Sequence, residues 1–459
     1  MSTSAPVDQL CSGSVDTFSP QTRSAVPYDP LPDVSSRLRL KPGQSYRKQY
    51  ASQYFVRLTK LRPQVLRVAE KQWSGLADQP EHVSKVPDVT PKRCYVVGTI
   101  YVSMALKPNV LQDISEEVSL VAPAMPLKYK SDQDTIAIED ESGRIELSGS
   151  ILANEFWVTG MVVGLLGCET ALGTFEVEDV CFPGMPAQIT PAVKHKDDGP
   201  RYVALVSGLN VGETETSDLK TQLLREFLTG ELGSLTDQQN SSTICRLIIA
   251  GNSLTKRKLD QVEDTKKKKY GYDSTKYDVR PAHDLDDMLE DIGSTMPIDI
   301  MSGERDPVKR QWPQQPINKA LFDRTRNLST VKGVTNPHWC KVGDITFLGT
   351  SGQNLDDIYR YVDGDDRLQM AERCLHWRHI APSAPDTLWC YPFQDDDPFL
   401  LEECPHVYFI GNQPRFEQRL AEGPDGQKVR VVLVPSFSET GCLALVDLVT
   451  LECTSVQVK

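Results

Sequence analysis

Nowhere in its 459 residues does the chain run through about 18 apolar residues in a row, the length a membrane-crossing helix needs, so no membrane span is expected. The opening residues, Met1-Ser-Thr-Ser-Ala-Pro6, carry no basic stretch followed by an apolar one, so no secretory leader is expected. The 11 cysteines stand singly, with no Cys-x-x-Cys and none grouped with histidine at zinc-finger spacing. That excludes the common zinc frameworks and favours reduced thiols in a cytosolic or nuclear protein. Cys94, Cys181 and Cys245 lie in apolar, strand-like runs and read as core residues. Only 7 histidines occur, without a His-Glu-x-x-His pair or a dense His/Asp cluster, so no metal or other cofactor is expected. Positive charge is also short. Fifty Lys and Arg against 63 Asp and Glu leave a net charge of −13, which opposes non-specific binding of the whole chain to a phosphate backbone.

What is present is the composition of a globular protein, 39% hydrophobic and 25% charged, on a chain long enough for two or three domains. The most informative stretch is Tyr202–Asn210. Val203 to Val206 form an apolar run suited to a strand buried on both faces, and Ser207-Gly208 turns the chain after it. Leu219, Leu223, Leu224, Phe227 and Leu228 follow at helical spacing, with Gly230 as a stop. Arg246 to Asn252 is a second buried-strand run ending in glycine. A strand–helix–strand unit of this kind places its two strands parallel. In such sheets, chemistry sits in the turns after the strand carboxyl ends.

Five such turns can be read in order. They are Val206-Ser207-Gly208-Leu209, Gly251-Asn252-Ser253-Leu254-Thr255, Ser302-Gly303-Glu304-Arg305-Asp306, Gly349-Thr350-Ser351-Gly352 and Gly411-Asn412-Gln413-Pro414. Their order and setting resemble the calcineurin-like metallophosphoesterases. The resemblance implies Asp-x-His, Gly-Asp-x-x-Asp, Gly-Asn-His-Asp/Glu and Gly-His-x-His in the corresponding turns. Here Ser207 and Leu209 stand for the Asp and His of the first motif, and Asn252 and Thr255 for the two Asp of the second. Glu304 and Arg305 replace Asn and His of the third, leaving Asp306, and Asn412 and Pro414 replace the final His pair. Two cations need several carboxylates and neutral imidazoles aimed at them. Leucine and proline cannot coordinate, so the expected site is inactive.

A small β domain comes first. Cys94–Val102, Ile136–Ile138, Ile145–Leu147, Val158–Leu166 and Thr174–Phe182 read as short strands, with Gly143 at a hairpin turn. This pattern suggests an OB-type barrel. Its strands carry Glu139, Asp140, Glu141, Glu146, Glu176, Glu178 and Asp179, which favours a protein-contacting or structural role over single-strand binding. The fold class is therefore α/β plus all-β, with domains expected at 1–40 (mobile), 41–190 (a helix and the barrel) and 191–459 (the phosphoesterase-like sandwich). Tyr46, Tyr50, Tyr54, Leu58 and Leu61 give the helix its period, which Pro63 is expected to interrupt.

A metal-stripped phosphoesterase fold behind an OB-type barrel resembles the B-type subunits of replicative DNA polymerases. The words carrying this likeness are Tyr129 to Leu147, Leu348-Gly-Thr-Ser-Gly-Gln-Asn354, His379-Ile-Ala-Pro-Ser-Ala-Pro-Asp-Thr-Leu388 and Cys404-Pro-His-Val-Tyr-Phe-Ile-Gly-Asn412. They fit the regulatory second-subunit family of polymerase delta. The resemblance implies a non-catalytic scaffold. Its partners would be the C-terminal cysteine-rich domain of the catalytic subunit and a third accessory subunit, with the sliding clamp reached indirectly. The acidic balance of the chain adds the expectation of little direct contact with DNA.

Lys256-Arg257-Lys258 and Lys266-Lys267-Lys268-Lys269 stand in a long loop and read as a two-part nuclear-import signal. His379 lies in a proline-rich loop and reads as a structural hydrogen-bonding histidine. Two other functions stay open at the level of sequence. One is a phosphodiesterase or nuclease with a degenerate site built from Asp306, Asn252, His379 and His406. The other is single-strand DNA binding through the barrel.

Overall fold

A computed structural model describes residues 22–458 apart from 24, 109–125, 192–198, 214 and 256–277. The import-signal lysines, Lys256 to Lys269, fall outside the described residues.

The N-terminal segment differs in extent from the sequence reading, which took 1–40 as one mobile stretch. Strand β1 (Tyr28–Asp29) and helix α1 (Pro32–Arg37) lie within it, and Leu38 is buried in the main core. Arg23 donates to the carbonyls of Ser241 and Ile244 at 2.6 and 2.9 Å. Contacts made to residues more than 200 positions away leave no local periodicity to read.

Helix α2 (Ala51–Trp73) runs through Pro63 rather than stopping there. Pro63 and Thr59, whose carbonyl the proline ring frees, both face solvent, so water satisfies the lost hydrogen bond. The helix packs Leu58, Leu61, Val65, Ala69 and Trp73 into a cluster with Tyr95, Val97, Val162 and Leu166. The last four come from a barrel of β2 (Glu81–Val83), β3 (Cys94–Ser103), β4 (Thr135–Glu139), β5 (Arg144–Ser148), β6 (Val162–Glu169) and β7 (Phe175–Cys181). The strand order is β2-β3-β4-β5-β7-β6, and β3 also pairs with β6, which closes the barrel as expected of an OB-type fold.

Two further sheets form the sandwich. The chain runs through β8 (Tyr202–Val206), α3 (Glu215–Thr229), α4 (Leu235–Ser242), β9 (Ile244–Ala250), α5 (Arg280–Thr295), β10 (Ile298–Met301) and β11 (Val331–Val334). It continues with β12 (His338–Val342), β13 (Ile345–Thr350), α6 (Gln353–Tyr361), α7 (Arg367–His376), β14 (Val407–Gln413), β15 (Glu417–Glu422) and β16 (Lys428–Pro435). A short helix α8 (Phe437–Thr440) and strands β17 (Cys442–Asp447) and β18 (Cys453–Gln457) end it. One sheet has the order β11-β10-β9-β8-β17-β18 and the other β1-β12-β13-β14-β16-β15. Strands β8 and β9 are parallel, as the strand–helix–strand reading requires.

Between the sheets lies an apolar core that includes Val203, Leu205, Ile248, Phe347, Phe409 and Val432. On the far side of the second sheet, Leu355, Ile358, Leu375 and Trp377 share one buried cluster with the barrel residues Val96, Ile100, Ile138 and Phe175. Barrel and sandwich are thus fused through apolar packing. Past β7 the chain docks on the sandwich: Arg378 donates to the carbonyls of Gly184 and Met185 at 2.7 and 3.0 Å.

Candidate functional site: the ring of turns

Strands β8, β9, β10, β13 and β14 point their carboxyl ends the same way, and the five turns meet there. The meeting is dense. Gly208 donates its N–H to Gly251 at 2.9 Å, and Asn210 and Val211 donate to Asn252 and Ser253, each at 3.0 Å. Ser207 is fully buried. Its hydroxyl reaches the carbonyls of Val434 and Pro435 at 3.1 Å each and accepts from the Asn412 N–H at 2.8 Å.

Asn412 adopts a left-handed backbone, φ 56°, which asparagine tolerates better than most residues. Its side-chain amide donates to the carbonyls of Ser351 and Ala250 at 2.9 and 3.2 Å. Asn252 has φ 53° and accepts from the Arg305 N–H at 2.9 Å. The glycines allow this close approach. A Cβ on Gly251 would meet the Ser351 hydroxyl at 2.3 Å, and one on Gly303 would meet the Asn252 nitrogen at 2.3 Å.

Asp306 is the carboxylate that the third turn keeps. It is fully buried, and its two oxygens accept from the backbone N–H groups of Leu254 at 2.9 Å and Gly303 at 2.7 Å. Burial raises its pKa to about 6, against the pull of those amides. Both oxygens are therefore occupied in tying the second turn to the third.

The other positions read from sequence do not converge on a cation-sized space. Leu209 lies wholly in the apolar core beneath α3 and α5. Thr255 donates its N–H to the Val211 carbonyl at 3.3 Å. Glu304 faces solvent, and the half-exposed Arg305 pairs with Glu213 at 3.3 Å. Pro414 lines a separate surface cleft of about 250 Å³ with Tyr359, Arg367 and Arg415. So Ser207, Asn252, Asp306 and Asn412 meet, while Leu209, Thr255, Glu304, Arg305 and Pro414 stand outside the meeting point.

Two serines join the ring that the substitution pattern did not single out. Ser351 is buried and accepts from Asn412. Ser436 approaches the Gly208 carbonyl at 3.3 Å through its hydroxyl. Ser351 stands in the fourth turn, where its position between glycines was the available signal.

His379 and His406, the other remnants weighed for a degenerate site, sit elsewhere in hydrogen-bonded pockets. His379 Nε2 is 2.9 Å from Asp397, and its Nδ1 accepts from the Ala381 N–H at 3.1 Å. His406 Nδ1 accepts from Thr346 N–H at 2.9 Å, and Nε2 reaches the Ile189 carbonyl at 2.8 Å.

Residues 203–418 match the B-type subunit family of DNA polymerases alpha and epsilon, and residues 49–180 match the DNA polymerase delta subunit OB-fold domain. The chain is 43% identical to the DNA polymerase delta small subunit of Arabidopsis thaliana, over 92% of this chain and 93% of that one. The chain belongs to the family of DNA polymerase delta small subunits. The delta small subunit of Saccharomyces cerevisiae is 35% identical, over 96% of this chain and 95% of its own. DNA polymerase delta subunit 2 of Drosophila melanogaster is 35% identical, over 92% and 96%. Both folded units of this family member, barrel and sandwich, fall within these matches.

Proposed function

We propose that this chain is the non-catalytic scaffold subunit of a DNA polymerase delta complex and acts in the nucleus in DNA replication and repair synthesis. It holds the C-terminal cysteine-rich domain of the catalytic subunit and a third accessory subunit, and through the latter serves the sliding clamp. Family membership over almost the whole chain supports its place in the complex. The observation that carries the non-catalytic part is Asp306. The acid that the third turn retains has both oxygens committed to backbone N–H groups, and the neighbouring polar groups donate to carbonyls rather than to an open space. A phosphoesterase needs free carboxylate and imidazole lone pairs converging on cations; here Ser207, Asp306 and Asn412 are committed to bonds within the ring.

The continuous core between barrel and sandwich gives a scaffold its stiffness, and a rigid subunit loses little conformational entropy when partners dock. The acidic barrel strands support protein contact over DNA contact. Co-expression of the full chain with the polymerase delta catalytic subunit, followed by size-exclusion chromatography, tests the reading. A sharp co-eluting complex is expected. Separate elution of the two, with each folded, would refute it.

A further inference from the structure

In the layer between the two sheets, Asp299, His338 and Cys340 bring a carboxylate oxygen, an imidazole nitrogen and a thiol sulfur within 4.8 Å of one another. The backbone explains the meeting. His338 and Cys340 are two apart on β12 and share a strand face. Cys340 belongs to the core between the sheets, so this face looks across at β10, which presents Asp299. All three residues are buried.

Burial makes the cluster costly as it stands. Asp299 Oδ1 and His338 Nε2 are shielded from solvent, yet among the described residues they have no geometrically sound hydrogen bond. His338 Nε2 and Asp299 Oδ2 are 3.9 Å apart, too far to bond each other. Orphaned polar atoms gathered in one place point to an occupant, a water or an ion. A thiol is a poor partner for water and a strong one for a borderline-soft cation. Arg246 holds Asp299 Oδ2 at 2.9 Å, which leaves Oδ1 as the ligand and supplies the supporting hydrogen bond common behind metal-bound carboxylates.

We propose that Asp299, His338 and Cys340 bind one zinc-class divalent cation that staples the two sheets of the sandwich together. The fourth position falls to water or to the Tyr28 hydroxyl. Binding displaces the Cys340 thiol proton to solvent. His338 also lines a cavity of about 300 Å³ whose rim carries Arg39, Lys319 and Lys332. Those cations slow entry of an ion into the folded chain, so loading belongs to folding. The site does not depend on the partner reading.

The test is to express the full chain in medium supplemented with cobalt. One cobalt ion per chain is expected, with a sulfur-to-cobalt charge-transfer band in the near ultraviolet. Cys340→Ala abolishes the band, and Cys168→Ala, altering a thiol outside the cluster, keeps it. Absence of the band from the unaltered chain, or its survival in Cys340→Ala, would overturn the proposal. X-ray absorption of the zinc-loaded unaltered chain needs no variant to fold. One sulfur at about 2.3 Å with nitrogen and oxygen at about 2.0–2.2 Å is expected. A shell without sulfur overturns the site and leaves water as the occupant.

Discussion

Arg57 Nε lies 2.8 Å from Asp397 Oδ2, and both side chains are completely buried. The pair joins helix α2, which caps the barrel, to a loop of the sandwich. The remaining guanidinium N–H groups reach the carbonyls of Gly160 at 3.0 Å, Pro382 at 2.7 Å and Ala384 at 2.7 Å. One cation thus ties helix, barrel and sandwich together, with its donors spent on oxygens of three separate segments.

Removing one member of such a pair strands the other as an uncompensated buried charge. Arg57→Met is expected to destabilise the chain by about 3–5 kcal/mol. Adding Asp397→Asn to Arg57→Met restores part of the loss, because the stranded charge is gone. Denaturant unfolding of the single and double variants measures both effects. A loss below about 1 kcal/mol for Arg57→Met would show that the latch is not what fuses the two units.

His379 gives the latch a pH dependence. Burial, and then the nearby Arg57 charge, lowers its pKa to about 4. Burial alone would raise Asp397, but Arg57 and His379 more than reverse that and hold it well below the usual carboxylate range. Both folded pKa values are depressed. The histidine contribution is therefore full above the unfolded value of about 6.5 and is lost as pH falls towards 4. The expected drop is on the order of 2–3 kcal/mol. His379→Gln should flatten the stability profile between those limits. An unchanged slope would mean that other groups carry the acid lability.

Much of the sandwich was legible because its strands are unbroken apolar runs, such as Val203 to Val206, followed by glycine turns. The barrel hairpin at Gly143 was legible too, and Asp140 supports that turn by accepting from the N–H groups of Ser142 and Gly143 at 2.7 and 3.0 Å. Ser207, Asn252, Asp306 and Asn412 could be named once the order of the turns was set beside the metallophosphoesterase motifs it resembles. What sequence could not show depends on distant pairing. Strand β1 meets Lys341 and Val342 across about 300 residues. Arg57 reads as a surface charge on an amphipathic helix until Asp397 is placed beside it. His338-x-Cys340 gains a third ligand from Asp299, about 40 residues earlier, only when the two sheets stack.

The close approach of the turns makes Gly251 sensitive. It has φ +81°, and an added Cβ would strike Ser351 at 2.3 Å and the Gly303 backbone at 2.9 Å. Gly251→Ala combines left-handed strain with overpacking and is expected to cost about 3 kcal/mol. Thermal unfolding reads this directly. Gly426 is the control: it also has positive φ, +83°, but an added Cβ meets nothing within 4 Å. Gly426→Ala should cost only about 1–2 kcal/mol. Equal losses would show that the ring is looser than these contacts require.

Trp73 closes the far end of α2 against the barrel by donating its indole N–H to Asp179 at 2.7 Å. Trp73→Phe keeps part of the ring packing and removes the donor, so about 1–3 kcal/mol should be lost in denaturant unfolding. A neutral result would assign the helix docking to apolar contact alone.

The most direct test of the scaffold account is a phosphodiester hydrolysis assay of the purified full chain with manganese and a simple aryl phosphodiester. We predict no turnover above the protein-free blank, with or without metal. Manganese-dependent turnover that a folded Asp306→Ala variant abolishes would contradict the account.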